Sequence, residues 1–258
     1  MKYYNMDYFK IDLRSINAGF NHQFGNFLTL INYCYFNNKK MIKPIFKLDK
    51  KHNGNKKSNI KTDFSKYIQI DKIMVNNNLF KLYDDNKNID YTIKRKKYKY
   101  GLLKRDEFFK DLKNANIQYQ MIDDIVNIGS YISNTLGNDY MCIHVRRGDK
   151  LKKKQMVIDT EPESIKKIID KYDKKQIYIM TNNVDDIKPI RDLIKDKKIF
   201  FFEDFDSLKK IKDNYYLYCV EKEIMKYASI RCSTFNVKKK IKNNTFYHCY
   251  LTNFGGWQ

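Results

Sequence analysis

The chain has 258 residues, of which 42% are hydrophobic and 15% aromatic, and a formal net charge of +21. That apolar content is enough for a core and excludes a chain disordered throughout. The length suits one large domain or two of roughly 100–150 residues. No apolar run approaches the ~18–20 residues of a membrane span, and five cysteines, odd in number and without a CxxC pair, argue against a disulfide framework.

In chain order, YFKIDL (Tyr8 to Leu13) reads as a strand. A polar loop, RSINAGFNHQFGN, follows and leads into a helix over FGNFLTLINYCYFNN, whose apolar residues recur at helical spacing. KMIKPIFKL is the next strand, with Pro44 at an edge or bend. Strand, glycine loop, helix and strand make one βαβ unit. Asp49 to Asn59 is an exposed polar loop, and YIQIDKIMV and LFKLYDD are short strands. From Arg105, the pattern predicts two helices joined near Asn114 to Asn116, ending at Gly137.

Punctuation sharpens in the second half. YMCIHV, QIYIMT, KIFFF, IRCSTF and TFYHCYL read as strands. TEPESIKKIIDKY reads as a helix capped by Thr160, VDDIKPIRDLIKD as a helix bent at Pro189, and DNYYLYCVEKEIMKYAS as a third helix. Strands alternating with helices predict a doubly wound parallel sheet and an α/β fold. The boundary falls near Leu136–Asp139, dividing the chain into lobes 1–138 and 139–258.

Only seven of the 51 basic residues are arginine, yet two of them, Arg146 and Arg147, stand side by side in MCIHVRRGDK. Guanidinium is a planar fork that grips phosphate or carboxylate bidentately, which lysine cannot do. The pair follows a buried strand, at the kind of carboxyl end where open α/β sheets bind ligands. Asp149 is placed to orient one guanidinium, and His144 to offer a ring nitrogen. The alternative is a solvated basic turn with a structural Arg–Asp pair.

HVRRGDK resembles the His-x-Arg-Arg-x-Asp signature of GDP-fucose-dependent fucosyltransferases. Three other stretches are similar to segments of that family: INAGFNHQFGNFL, IYIMTNN, and VEKEIMKYASIRCSTF. In the second of these, Asn182 and Asn183 stand where the family has two acids. The tail TNFGGWQ is similar to one in the α1,6 group, to which the chain is modestly closer than to the α1,2 enzymes. The resemblance covers about half the chain, mainly Cys142 to Asn236.

The resemblance implies two Rossmann-like lobes of the GT-B type, with GDP-fucose held mainly by the second. It implies inverting transfer to a hydroxyl of a glycan or glycoconjugate, without a metal cofactor. Arg146 matches the arginine on the donor β-phosphate, and His144 a donor-contacting histidine. Arg147 stands either as a second contact or as a structural partner of Asp149. Glu221 matches the acid that reads guanine; the alternative is a solvent-facing helix acid. Ser233, Thr234 and Phe235 match the turn that meets the diphosphate, with turn capping as the alternative. Gly19, Asn21, His22 and Gln23 lie on the loop that closes over the donor. The base that deprotonates the acceptor is harder to place. LKKKQMV carries no acid, so Glu161 and then Asp159 come next, each equally readable as a helix N-terminal charge.

Two other readings stand beside this one. Asp204 and Asp206, in FFFEDFDS, form an Asp-x-Asp at a strand end, as in metal-dependent glycosyltransferases of another fold. The charge and stretches such as KRKKYKYG fit a nucleic-acid-binding protein, but the lysines are spread along the chain and no binding motif occurs. The expectation is a cytoplasmic enzyme with no metal, no nucleic-acid partner and no membrane span.

Overall fold

A computed structural model describes residues 8–11, 20–44, 46–47, 61–62, 64–84, 92–94, 115–137, 139–147, 151–152 and 154–234. The protein is mixed α/β with parallel sheets, and the described residues form two compact units that divide between Asp123 and Asp124.

In the first unit, β1 (Tyr8–Ile11), α1 (Phe20–Phe36) and β2 (Lys40–Ile42) form the expected βαβ beginning. Short strands β3 (Phe46–Lys47) and β4 (Lys61–Thr62) pair antiparallel. They are followed by β5 (Met74–Val75), β6 (Asn78–Leu79), β7 (Leu82–Tyr83), β8 (Thr92–Lys94) and β9 (Ile117–Gln118). The main sheet runs β7-β2-β1-β8, every pair parallel. On α1, Phe20, Phe24, Phe27, Ile31 and Cys34 recur at helical spacing, and all are buried. Phe24 meets Phe64 and Tyr119 edge-on, at 5.1 and 5.0 Å between ring centroids. The helix stops at Asn38, which adopts φ 48°. The Asn38 amide donates to Tyr35 O and the Lys39 amide to Cys34 O, satisfying the last carbonyls.

Several expectations fail in this unit. Phe20 to Gln23, expected in the loop, already belong to α1. KMIKPIFKL, expected as one strand, gives β2 and β3, which pair in different sheets. Most of YIQIDKIMV is turn and 3₁₀ helix, with only Met74–Val75 as strand. Asn76 and Asn77, both at positive φ, close that strand into the tight β5–β6 hairpin. The second of the two predicted helices, expected to start just past the Asn114–Asn116 joint, starts only at Asp123, because Ile117 and Gln118 pair with β5 as an extended strand. A ladder partner distant in sequence outweighs local helix propensity there.

The second unit follows the predicted alternation more closely. It contains α2 (Asp123–Leu136), β10 (Met141–Val145), α3 (Lys154–Asp159), α4 (Pro162–Ile169), β11 (Gln176–Thr181), α5 (Ile190–Leu193), β12 (Lys198–Phe200), α6 (Asp206–Lys209), α7 (Asn214–Tyr227) and β13 (Ile230–Ser233). The sheet is parallel, in the order β12-β11-β10-β13. Met141, Ile143 and Val145 face a core shared with Ile165, Ile169, Ile177 and Ile179. Cys142, His144 and Tyr178 alternate onto the opposite face, beneath α7. VDDIKPIRDLIKD is mostly turn, with helix only over α5. The expected strand TFYHCYL lies outside the described residues.

The division falls earlier than the Leu136–Asp139 boundary read from the sequence because α2 packs with the second unit. The Tyr140 hydroxyl lies 2.9 Å from Ser133 Oγ on α2 and against the Ile224 carbonyl on α7. Gly129 lets the two helices approach: a β-carbon there would sit 2.5 Å from Glu223 Cβ. Gly129→Ala forces these helices apart, and better helix propensity offsets only part of the cost. Denaturant unfolding should show a net loss on the order of 1–2 kcal/mol.

Candidate functional site

In both main sheets the strand earliest in sequence lies inside, flanked by the second and the fourth. Strand order therefore reverses beside β1 and beside β10. Such a reversal opens a crevice at the strand carboxyl ends. In the second unit the crevice position falls at the ends of β10 and β13, where His144, Arg146 and Arg147 meet Ser233 and Thr234.

Hydrogen bonds lock this junction. The Arg146 amide donates to Thr234 Oγ1 at 3.0 Å, and the Thr234 amide donates to His144 O at 3.0 Å. Ser233 Oγ lies 3.4 Å from His144 Nδ1. On the other side, the Arg147 amide donates to Asn182 Oδ1 at 3.3 Å. The end of β10 is thus tied to both neighbouring strands. Arg146 stays partly exposed at this junction, whereas Arg147 is buried.

The Arg147 guanidinium is committed to the protein. Nε and Nη2 reach Asp186 Oδ2 at 3.2 and 3.1 Å, and Nη1 donates to Thr160 O and Oγ1 at 2.7 and 2.9 Å. Asn183 Nδ2 donates to the same Asp186 oxygen at 2.7 Å. Asn182 and Asn183 therefore both serve the Arg147 network. Asp149 lies outside the described residues, so the described partners of Arg147 are Asp186 and Thr160.

Thr160 is not the helix cap expected from the sequence. Glu161 occupies the N-cap of α4, and Thr160 is wholly buried against Arg147. Its neighbours are the two candidate bases. Asp159, partly exposed, ends α3, and Glu161 is exposed. Arg147 therefore anchors the very link that carries both carboxylates.

His144 is held neutral. Burial, then the nearby charges of Arg146 and Lys222, push its pKa from 6.5 down to about 3. Glu221 is shifted the other way. It is 5% exposed, which overturns the solvent-facing alternative. Burial raises its pKa from 4.5 to about 8, partly opposed by the Tyr178 hydroxyl, which donates to Glu221 Oε1 at 2.9 Å. Lys222 and Glu223 beside it are buried too. Asp213 caps this helix by accepting from the Tyr215 and Tyr216 amides at 3.0 and 3.3 Å.

The other expected site residues lie in the first unit or outside the described residues. Gln23 is fully buried on α1 in the first unit. Asn21 and His22 lie in α1, with side chains outside the described residues, as are Gly19 and Phe235. Of the Asp-x-Asp pair, Asp206 is exposed at the start of α6, whereas Asp204 is engaged by the protein. Asp204 Oδ2 accepts from the Phe201 amide at 2.7 Å and forms an ion pair with Arg191. Among the described residues no helix is long and apolar enough to cross a membrane.

Sequence reading missed Tyr178, Thr160 and Asp186. Tyr178 left one trace: a hydroxyl inside the apolar strand QIYIMT, which needs a buried partner.

In comparisons with known proteins, no family model, no curated protein and no solved structure matches this chain.

Glu221 also predicts how stability depends on pH. Its folded pKa lies above the unfolded value, so its contribution is fully present below about 4.5 and is lost as pH rises through about 8. His144 works in the opposite sense: its contribution is present above 6.5 and is lost as pH falls toward 3. Melting of wild type and Glu221→Gln between pH 5 and 9 isolates the carboxyl. The wild-type midpoint should decline relative to the variant up to about pH 8 and then level off.

Proposed function

We propose that the protein is an inverting fucosyltransferase that transfers L-fucose from GDP-fucose to a hydroxyl of a glycan or glycoconjugate. One observation carries the reading: the His-x-Arg-Arg motif sits where the strand order reverses, hydrogen-bonded to the Ser233–Thr234 turn. Parallel sheets with the same strand order in both units support two Rossmann-like lobes of the GT-B type.

In this mechanism the acceptor oxygen attacks C1 of fucose, and the C1–O bond to phosphate breaks with its electron pair leaving on the diphosphate. Arg146 offers a guanidinium fork to that growing charge. The hydrogen bond from its amide to Thr234 Oγ1 fixes the backbone from which this side chain projects. His144, kept neutral, presents a hydrogen-bonding ring rather than a competing cation. Glu161 or Asp159 takes the acceptor proton. Charge neutralisation by arginine leaves no role that requires a divalent cation. The metal-dependent alternative loses support because Asp204 is held by Arg191 and the Phe201 amide.

A nucleotide-sugar panel tests the donor class. The purified protein should release GDP from GDP-fucose, and transfer fucose to a suitable acceptor, faster than it uses GDP-mannose or any UDP-sugar. A clear preference for one of those donors would overturn the assignment.

The two arginines should fail differently. Arg146→Lys keeps the charge and loses the fork, so turnover should drop about a hundredfold, roughly 3 kcal/mol, with the fold retained. Arg147→Lys loses contacts to Asp186 and Thr160 and should lower the melting midpoint. Near-normal turnover in Arg146→Lys would rule out its diphosphate role.

A further inference from the structure

Tyr178 and Glu221 form a buried pair on the face of the second sheet that α7 covers. Tyr178 lies opposite Cys142 in the strand register and is completely buried. Its ring packs near Phe205, with centroids 6.2 Å apart, and Phe205 in turn packs near Phe200 at 5.8 Å. A ring so enclosed cannot swing, so the position of its hydroxyl is set by the sheet. Its single proton is given to Glu221 Oε1 at 2.9 Å.

A carboxylate held at one oxygen keeps its plane fixed, and its second oxygen is directed by the first. Two parallel donors on a ligand, such as adjacent ring N–H and amino groups, match that fixed plane. A donated hydrogen bond also favours the ionised carboxylate, which accepts at both oxygens. Burial alone pushes Glu221 toward the neutral acid, and the Tyr178 bond opposes that push.

We propose that Tyr178 is a specificity-determining positioning residue, whose hydroxyl holds the Glu221 carboxyl in the orientation that selects a guanine-type base carrying both N1–H and a 2-amino group. This rests on the reading of Glu221 as the base-recognising acid. Tyr178 acts through Glu221 and need not touch the nucleotide.

Calorimetric titration of GDP and inosine diphosphate, which lacks the 2-amino group, tests the assignment. Wild type should prefer GDP. Tyr178→Phe keeps the ring and removes only the hydroxyl. It should weaken GDP binding about tenfold, as expected for losing one buried hydrogen bond, and weaken inosine diphosphate binding less. The ratio of the two affinities is the informative quantity, since general loosening lowers both alike. Glu221→Gln provides a second variant should Tyr178→Phe fold poorly, and it too should narrow the preference. A wild-type ratio in folded Tyr178→Phe overturns the positioning role and leaves the fucosyltransferase reading standing, and a wild-type ratio in Glu221→Gln overturns the base-recognising role on which it rests. A wild-type protein that binds no guanine nucleotide overturns both.

Discussion

The second unit depends on one constraint: the end of β10 must be fixed on both sides. A central parallel strand is held along its length by ladder hydrogen bonds, but these stop where the chain leaves the sheet. Beyond Val145, side chains take over from the ladder. Thr234 receives the Arg146 amide, Asn182 the Arg147 amide, and Arg147 reaches Asp186 and Thr160. Burying a guanidinium is unfavourable unless its donors are satisfied, and here four contacts from three nitrogens meet that demand. The result is a rigid rim, with Arg146 partly exposed at its edge.

Adjacent arginines thus do opposite work because a strand end turns them to different surroundings. Arg147 points into protein and ties β10 to Asp186 and Thr160, and Arg146 stays partly exposed at the strand end. The Asn182–Asn183 pair fits this division. Neutral amides can accept from a backbone N–H and donate to Asp186 at once, and two carboxylates in their place would crowd negative charge around Asp186. The link bearing Asp159 and Glu161 inherits its position from Thr160 and therefore from Arg147.

Beneath the rim the electrostatics are arranged by burial. His144 is kept neutral by desolvation and two cations, and Glu221 is pushed toward its neutral form by the same low-polarity surroundings. Neither can exchange charge with solvent freely. A buried polar face on one side of the sheet and an isoleucine-rich core on the other give the two faces distinct roles. Strand alternation assigns each side chain to one of them.

Much of the second unit was legible in the chain itself. Its strands are short apolar runs ended by polar turns, and YMCIHV, QIYIMT, KIFFF and IRCSTF each contain an observed strand. The rarity of arginine singled out Arg146 and Arg147, and the fold brings Arg146 to Thr234. Less could be read where pairing is non-local. Ile117 and Gln118 become a strand only because β5 offers an edge some forty residues away, and α2 joins the second unit only because Gly129 fits against α7. Likewise, nothing local announces that Thr160 and Asp186 hold Arg147, or that Tyr178 holds Glu221. Periodicity and composition report how each segment meets solvent or core. Which buried polar groups satisfy one another is decided only when distant segments pack, since each buried donor needs an acceptor that the fold alone can bring to it.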